Sequence, residues 1–282
     1  MSAIEPRGAA ELRRSVAGPL AAAVMAETLG LRGADPARIL AWYDGIVAAV
    51  QAEAAADQGA APAGAAAFAE LAASLRGVIA APGSASLLAQ VAGPLAGAPL
   101  TEGEAISNAA VLMFGGIETT EGMIANAVLH LLSSPAQLGL VLADRGLVPA
   151  AVEESLRLEP AAAVVDRYAT SDARLGGAGI KAGDQVTVSI AGANRDPAVF
   201  GEPDVFDVRR PDAGRHLAFA HGPHFCLGAH LARLEAQVAV DTLLARLPGL
   251  RLDPRYPSAP RGLVFRKPPG LHVRWNPSGP VR

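Results

Sequence analysis

The stretch that decides the fold is Phe219-Ala220-His221-Gly222-Pro223-His224-Phe225-Cys226-Leu227-Gly228, which ends where a helix is expected to begin. Cys226 is the only cysteine in the 282 residues. The free N–H groups and the positive dipole at a helix start lower the pKa of a thiol and stabilise its thiolate. A thiolate in this place is a suitable ligand for a soft or borderline metal ion. Gly222 and Gly228 allow the backbone to turn tightly and to approach a flat ligand.

Three interpretations of this cysteine are open from the residues alone. Free cysteines are often buried and inert, so Cys226 is a structural side chain in the first interpretation. In the second, a zinc ion is bound by a His-rich cluster of His221, His224, Cys226 and His230, although this spacing matches none of the common zinc patterns. In the third, the thiolate is the axial ligand of a haem iron.

An acidic and a basic residue upstream share one helix face. Glu154 and Arg157 are three residues apart, so on a helix they can form a bidentate ion pair. The helix that carries them is predicted to begin near Pro149, a favoured first-turn residue, and to run to about Leu158. Alone, the pair is a weak signal, because most such pairs are solvated and contribute little to stability.

A long helix is the clearest single element. Thr101 and Glu104 form a capping-box pattern, and apolar residues then continue to Leu132. At about 1.5 Å per residue this helix would be roughly 48 Å long. Its centre contains Gly115 and Gly116, each of which costs roughly 1 kcal/mol relative to alanine. The glycines predict either close helix packing or a locally opened turn.

Together these motifs resemble those of the cytochrome P450 family. The cysteine stretch matches the family's haem-binding signature, F-x-x-G-x-x-x-C-x-G, at Phe219, Gly222, Cys226 and Gly228. Ala220 departs from it, because the family usually has glycine there. Residues 154–157 match the family's E-x-x-R, and residues 115–119 match its Gly/Ala-Gly-x-Asp/Glu-Thr.

The resemblance implies a mainly α, α+β fold of the cytochrome P450 type, with a long central helix and small β-sheets. It extends from about Leu12 to Trp275, and we expect a single domain over residues 1–282. The expected parts are a helical part over about 12–158, a small β region over about 160–210, the haem-ligand loop and helix over about 211–247, and a C-terminal hairpin over about 250–276. The arms of the hairpin are predicted at 263–265 and 271–275. Residues 52–67, nearly all Ala, Gly and Pro, are expected to form a mobile loop or a loose helix end.

The resemblance also implies a cofactor, haem b, and residues that bind it. Cys226 would be the axial ligand, while Arg167 and His224 would donate hydrogen bonds to the haem propionates. The further residues implied to lie at the cofactor are Phe219, which would shield the sulfur, and Gly115, Gly116, Gly222 and Gly228. The Glu154–Arg157 pair would have a structural role, holding the loop that carries the cysteine.

Catalytic roles are implied for two neighbouring residues of the long helix. Thr119 resembles the threonine that hydrogen-bonds dioxygen, and Glu118 resembles the acid that relays protons. The implied activity is that of a monooxygenase that inserts one oxygen atom from O2 into a small, apolar organic substrate. Electrons would come from a ferredoxin-type donor with its reductase. The alternatives are a non-catalytic helper protein related to the family and, less favoured, a zinc-binding protein.

Members of the family carry a further N-terminal region. It contains early helices, most strands of the main sheet, another propionate contact and much of the substrate lid. We therefore expect a chain without its N-terminal part, whether as a fragment, through a misplaced start or by natural shortening. We also expect this chain alone to bind haem poorly or to aggregate.

Composition limits the class of partner and the compartment. The net charge is −3, with 24 basic and 27 acidic residues, so a nucleic-acid partner is not expected. No apolar stretch was expected to reach the roughly 20 residues of a membrane helix, and the single cysteine favours the cytoplasm. The stretch 15–26 after Arg13 and Arg14 loosely resembles a signal peptide, but an Ala-rich amphipathic helix fits it better.

Overall fold

A computed structural model describes residues 1–54, 61–81, 86–91 and 100–277. These residues form a mainly helical fold with short strands, which confirms the predicted fold class. The helices are α1 Gly18–Leu29, α2 Pro36–Ala54, α3 Ala61–Ala80, α4 Leu87–Val91, α5 Glu102–Ser133, α6 Pro135–Ala143, α7 Val148–Leu158, α8 Ile190–Ala193 and α9 Ala229–Arg246. The strands are β1 Ala9–Glu11, β2 Val164–Tyr168, β3 Ala173–Leu175, β4 Ala178–Ile180, β5 Gln185–Ser189, β6 Arg251–Leu252 and β7 His272–Arg274.

The chain forms two compact units. The helical unit is Arg14–Glu121, and the cysteine unit combines Met1–Arg13 with Gly122–Arg282. The division falls inside α5, so the first part of this helix belongs to the helical unit and the rest to the cysteine unit. The Cys226 stretch and the E-x-x-R pair are therefore in the cysteine unit, whereas residues 115–119 are in the helical unit.

One hydrophobic core holds the helical unit together. Its large side chains come from α1, α2, α3 and α5: Met25, Leu29, Ile39, Trp42, Leu71, Leu75, Met113 and Ile117. Helix α1 ends at Gly30, whose φ of 84° is left-handed and whose N–H caps the carbonyls of Ala26 and Glu27. Residues of the stretch 15–26 that resembled a signal peptide, Ala22 and Met25 among them, are buried in this core.

Helix α3 corrects the prediction for residues 52–67. Residues 61–67 are helical, residues 52–54 end α2, and residues 55–60 lie outside the described residues. Alanine is the strongest helix former, and Pro62 falls in the first turn, where its missing N–H is not needed. Gly64 faces α2, where any side chain would clash with Ala49. The small residues are thus packing residues rather than loop residues.

The same helix changes the expectation about membrane spans. By length and composition, α3 is long and apolar enough to cross a membrane, and α5 with α6 qualifies only as a pair bent by 103°. Core helices of soluble proteins have the same length and composition but are mostly buried, whereas 28% of the span in α3 is buried. Leu71 and Leu75 of α3 are fully buried in the core of the helical unit.

The capping box predicted at the start of α5 is confirmed. The Thr101 N–H donates to Glu104 Oε2 at 2.8 Å, and the Glu104 N–H donates to Thr101 Oγ1 at 3.3 Å. These reciprocal bonds satisfy two donors that a helix start leaves without partners. Helix α5 then continues for 32 residues, and Pro135 opens α6 just beyond it.

Three small antiparallel sheets belong to the cysteine unit. Their strand orders are β1-β7-β6, β2-β5 and β3-β4. Strands β2 and β5 pair from Val164 opposite Ser189 to Tyr168 opposite Gln185. In the sequence, Val186, Val188 and Ile190 alternate with polar residues, which predicts a half-buried strand at 186–190. Strand β5 lies within one residue of that prediction.

The C-terminal arms pair differently from the prediction. Strand β7 pairs with β6 on one side and with the N-terminal β1 on the other. Residues 263–265 do not pair with 271–275; instead Phe265 forms a bridge with Ala162. Pro268 and Pro269 lie between the two arms, and their missing N–H groups interrupt a continuous ladder there.

Candidate functional site

The cysteine loop, residues 216–228, carries an exposed sulfur. Cys226 lies between a short turn, Gly222–His224, and the start of α9, and its side chain is exposed. The Cys226 N–H donates to the Phe219 carbonyl at 2.9 Å, which closes the loop. Helix α9 has 18 residues and begins three residues after Cys226.

Two residues of this loop have left-handed backbones. Ala220 has φ 60° and Gly222 has φ 75°. A side chain in this region costs about 1 kcal/mol or more, which explains physically why glycine suits position 220. Ala220 is therefore a strained position that the closed loop imposes.

The loop surface fits a flat, apolar cofactor such as haem. Beside Gly222 and Gly228 no atom lies within 4 Å of the place where a Cβ would be. Next to the sulfur, Phe225 is 50% exposed and Leu227 is 80% exposed. Haem–thiolate binding needs a soft sulfur ligand with room for a flat, apolar ring beside it. The unobstructed backbone and the exposed hydrocarbon side chains around Cys226 meet this need.

The Glu154–Arg157 pair is buried, and both side chains have no solvent exposure. Arg157 Nε donates to Glu154 Oε2 at 2.7 Å, and its Nη2 donates to Oε1 at 2.8 Å. Arg157 also donates to the carbonyls of Asn194, Pro203 and Val205. Every oxygen and nitrogen of the pair thus has a partner, as a buried ion pair requires.

A chain of contacts connects this pair to the cysteine loop. Arg157 holds the Asn194 carbonyl, and the Asn194 side chain accepts the N–H of Leu217 at 2.7 Å. Arg210 is a further residue that the sequence analysis missed, and it donates to Glu154 Oε1 at 3.0 Å. Because these partners lie on separate elements, only the folded chain brings them together.

A second missed cluster lies directly behind the loop. Glu153 accepts hydrogen bonds from Arg233 of α9 and from His216. Burial alone would raise the pKa of the Glu153 carboxyl, but the hydrogen bonds from His216 and Arg233 and the charge of Arg233 lower it to about 2. The only sequence signal for it is the doublet of Glu153 with Glu154, since the partners are far away in the chain.

The two residues predicted at the haem propionates are exposed. Arg167 lies on β2 and, among the described residues, donates only to the Asp166 carbonyl, at 2.8 Å. His224 ends the turn Gly222–His224, and no side chain among the described residues bonds to it. Both donors are therefore available to a carboxylate, but the structure does not join them to each other.

Residues 115–119 form regular helix in the helical unit. Helix α5 is unbroken there, so the locally opened turn is absent, and the Thr119 hydroxyl donates to the Gly115 carbonyl at 2.6 Å. A side chain at Gly116 would clash with Met25, whereas Gly115 faces open space. The packing explanation thus holds for Gly116. Glu118 is buried, with 9% exposure.

The zinc alternative has no support in the part of the chain that the structure describes. No group of three or more His, Cys, Asp or Glu side chains is placed there to hold a metal ion. A haem iron needs only one protein ligand of this kind, and Cys226 alone would be sufficient.

Glu235 of α9 carries a buried carboxyl that predicts a pH-dependent stability. Its Oε2 has no hydrogen-bond partner in the described part of the chain, and burial raises the pKa of this carboxyl to about 7 from an ordinary 4.5. The folded protein therefore holds a proton that the unfolded chain releases, so stability falls as the pH rises from about 4.5 to 7. We expect Glu235→Gln to raise the free energy of unfolding at pH above 7 and to change little near pH 5, as measured by denaturant unfolding.

The control for this prediction is Glu202→Gln, which changes an exposed glutamate of the same unit. It should have the same small effect at both pH values. An effect of Glu235→Gln that does not change with pH would contradict the prediction.

Comparisons with known proteins agree with the geometry. The family model "Cytochrome P450" matches residues 141–270. The cytochrome P450 monooxygenase PikC of Streptomyces venezuelae is 40% identical over 285 residues, which cover 96% of this chain and 64% of PikC. The biotin biosynthesis cytochrome P450 of Bacillus subtilis (strain 168) is 47% identical over 153 residues, 54% of this chain and 38% of its own length. The chain thus spans less than two thirds of these curated relatives.

Solved structures extend the match over nearly all of this chain. P450BioI, in complex with an acyl carrier protein that carries hexadec-9Z-enoic acid, matches with a TM-score of 0.86 and 34% identity. The match covers 98% of this chain and 71% of that one. CalO2 matches with a TM-score of 0.87 and 32% identity over 99% of this chain and 70% of its own. The cofactor of such proteins is haem b, and this chain belongs to the cytochrome P450 family.

Proposed function

We propose that this chain is a haem-thiolate monooxygenase, or the catalytic part of one. The reaction would insert one oxygen atom of O2 into a small, apolar organic substrate and release the other as water, with two electrons from a donor and two protons. The observation that carries the proposal is the exposed Cys226 sulfur at the start of α9. It stands in a loop whose sequence meets every fixed position of the family's haem signature.

When bound, haem supplies the activation of dioxygen, and the residues of this chain set the conditions for it. Cys226 would bind the iron, and its sulfur would donate electron density to it. Arg167 and His224 are the donors that would orient the cofactor through its carboxylates. Phe219, which is 9% exposed, lies behind the sulfur and would keep water from it.

Proton delivery would depend on two residues of α5. The Thr119 hydroxyl holds a hydrogen bond to the Gly115 carbonyl and would turn from it to donate to dioxygen. The buried carboxyl of Glu118 would resupply the proton. A hydroxyl that already has an acceptor within the helix is held in place between turnovers, which supports this role.

The apolar substrate is supported by the surface near β2. Ala161 and Ala163 are buried beside the bridge from Ala162 to Phe265, and Leu263, two residues before Phe265, is 79% exposed. One relative's structure contains a hexadec-9Z-enoic acid on its carrier protein, and a long acyl chain is a substrate of this polarity. The exposed Leu263 side chain offers hydrocarbon contact there.

A separate electron donor of the ferredoxin type, with its reductase, would dock on the side of the cysteine loop. Exposed residues there can carry positive charge: Arg215, His221, His224 and His230. Ferredoxin-type donors would offer the opposite charge, and complementary charges speed such encounters. A cytoplasmic location fits a protein with a single free cysteine.

Removing the Thr119 hydroxyl tests the proton relay. We expect Thr119→Ala to leave the haem spectrum unchanged but to divert most electrons from product to hydrogen peroxide, because no donor remains at that position. The measurement compares peroxide and product per electron consumed, with a surrogate ferredoxin and reductase. Thr119→Ser keeps the hydroxyl and serves as the matched control. Equal coupling in the alanine variant and the parent would show that the assignment is wrong.

The overall activity is tested with isotope-labelled dioxygen. One labelled atom in the product of an apolar test substrate, and none from labelled water, would support the monooxygenase. A protein that never takes up haem yet raises the turnover of another cytochrome P450 would instead be the non-catalytic helper. That outcome is disfavoured because Cys226, Glu118 and Thr119 are all present.

A further inference from the structure

One carboxylate behind the cysteine loop joins two parts of the cysteine unit. Glu153 lies on α7, one residue before the E-x-x-R pair. Its Oε1 accepts from Arg233 Nε of α9 at 2.5 Å, and its Oε2 accepts from Arg233 Nη2 at 3.1 Å. The same Oε2 is 3.1 Å from His216 Nε2. The carboxylate is thus shared by a bidentate arginine and a histidine, which is a strong and directional arrangement.

Both partners of Glu153 hold the start of the cysteine loop. The Arg233 guanidinium lies over the Phe219 ring, 4.4 Å from its centroid, and the His216 ring is 6.0 Å from the same ring. His216 Nδ1 accepts the N–H of Ala218 at 3.1 Å. This bond places the imidazole proton on Nε2, where it is donated to Glu153.

Phe219, which these two side chains contact, is also the residue that is hydrogen-bonded to Cys226. The Phe219 carbonyl accepts the Cys226 N–H at 2.9 Å. A change in the position of Phe219 therefore passes directly to the backbone of Cys226. Phe219 is 9% exposed, and the Arg233 guanidinium over its ring adds a cation–π attraction to the packing.

We propose that Glu153 is a positioning residue, which fixes the cysteine loop through Arg233 and His216 and so sets the place of the Cys226 sulfur. The inference rests on the proposed function in that Cys226 is taken as the haem ligand. It assigns to Glu153 a role different from that of Glu154, because Glu154 bonds to Arg157, Arg210 and the Asp207 N–H. Glu154 reaches the loop only indirectly, whereas Glu153 holds it by direct contacts.

The first test is amide hydrogen exchange on the full chain without haem. In Glu153→Gln, the exchange of the Ala218 and Cys226 amides should become roughly tenfold faster or more, because a charged hydrogen-bond network is lost. Amides in the middle of α5 should keep their exchange rates. The matched control is Asp241→Asn, which removes an Arg–carboxylate pair with Arg145 on the far part of α9 and should leave the loop amides unchanged.

A second variant keeps the proposal testable if Glu153→Gln does not fold. Arg233→Gln removes the other half of the contact and should give the same local effect, and the double variant should add little to either single change. Uniform acceleration of all amides, or unchanged loop amides in both single variants, would overturn the proposal. Additive effects of the two changes would also overturn it.

The haem-loaded protein gives a separate readout. In Glu153→Gln the fraction of haem with a thiolate-type carbon monoxide spectrum should fall several-fold relative to the parent and to Asp241→Asn. If the parent itself shows no thiolate spectrum, the proposed function fails. The exchange experiment on the haem-free chain would then still decide whether Glu153 positions the loop.

Discussion

Cys226→Ala abolishes the thiolate-type absorption spectrum of the haem-loaded protein; this is the largest effect that we expect. The variant removes the chain's only cysteine, and the exposed residues next to it in the loop, Phe225 and Leu227, offer no replacement. Haem that still associates with the apolar loop surface would then have water or a histidine as its ligand, and its Soret band would shift. The measurement is the carbon monoxide difference spectrum after reconstitution with haem.

Two further variants make this result specific. Cys226→Ser keeps the size of the side chain but not the soft donor, so it should lose the thiolate spectrum as completely as alanine does. Leu227→Ala changes the exposed neighbour of Cys226 and should keep the thiolate spectrum. If Cys226→Ala retained the parent spectrum, the sulfur would not be the haem ligand, and the proposed chemistry would have no basis.

Arg157→Met should cause the largest loss of stability. The substitution leaves the Glu154 carboxylate buried with Arg210 as its remaining cation, and it removes the donor from three backbone carbonyls. Breaking one side of a buried ion pair costs about 3–5 kcal/mol, a large share of the roughly 5–15 kcal/mol that stabilises a typical domain. We expect a lower unfolding midpoint in denaturant or a failure to accumulate as folded protein.

The control for this variant is an arginine whose pair is solvated. Arg76 binds Glu102 in the helical unit, and both side chains are more than half exposed. Such pairs contribute little, so Arg76→Met should leave the unfolding midpoint nearly unchanged. Equal midpoints for Arg157→Met and the parent would contradict the structural role that we assign to the buried pair.

Local sequence signals identified elements whose partners are near in the chain. The capping box at Thr101 and the strand at β5 depend on bonds and alternation over a few residues, so their residue types were sufficient. Local sequence signals predicted the wrong element where packing overrides composition. The small residues 61–67 looked like a loop, but in the structure they form the close contact of α3 with α2.

Long-range pairing was the other source of error. Strand β7 has partners at both ends of the chain, and no local pattern distinguishes β1 from residues 263–265 as its neighbour. Glu153 was missed for the same reason. Its partners, Arg233 and His216, are more than sixty residues away, and a single glutamate beside another carries no sign of what it binds.

The sequence by itself predicted the ligand, because one cysteine before a helix, in a glycine-containing signature, is recognised by residue type and order alone. It also determined the helical class and the long helix with its cap. Only the tertiary structure decided how the loop is held. The left-handed Ala220, the carboxylate of Glu153 and the buried Arg157 acquire their roles from partners distant in the chain, and such contacts exist only after folding brings them within hydrogen-bond distance.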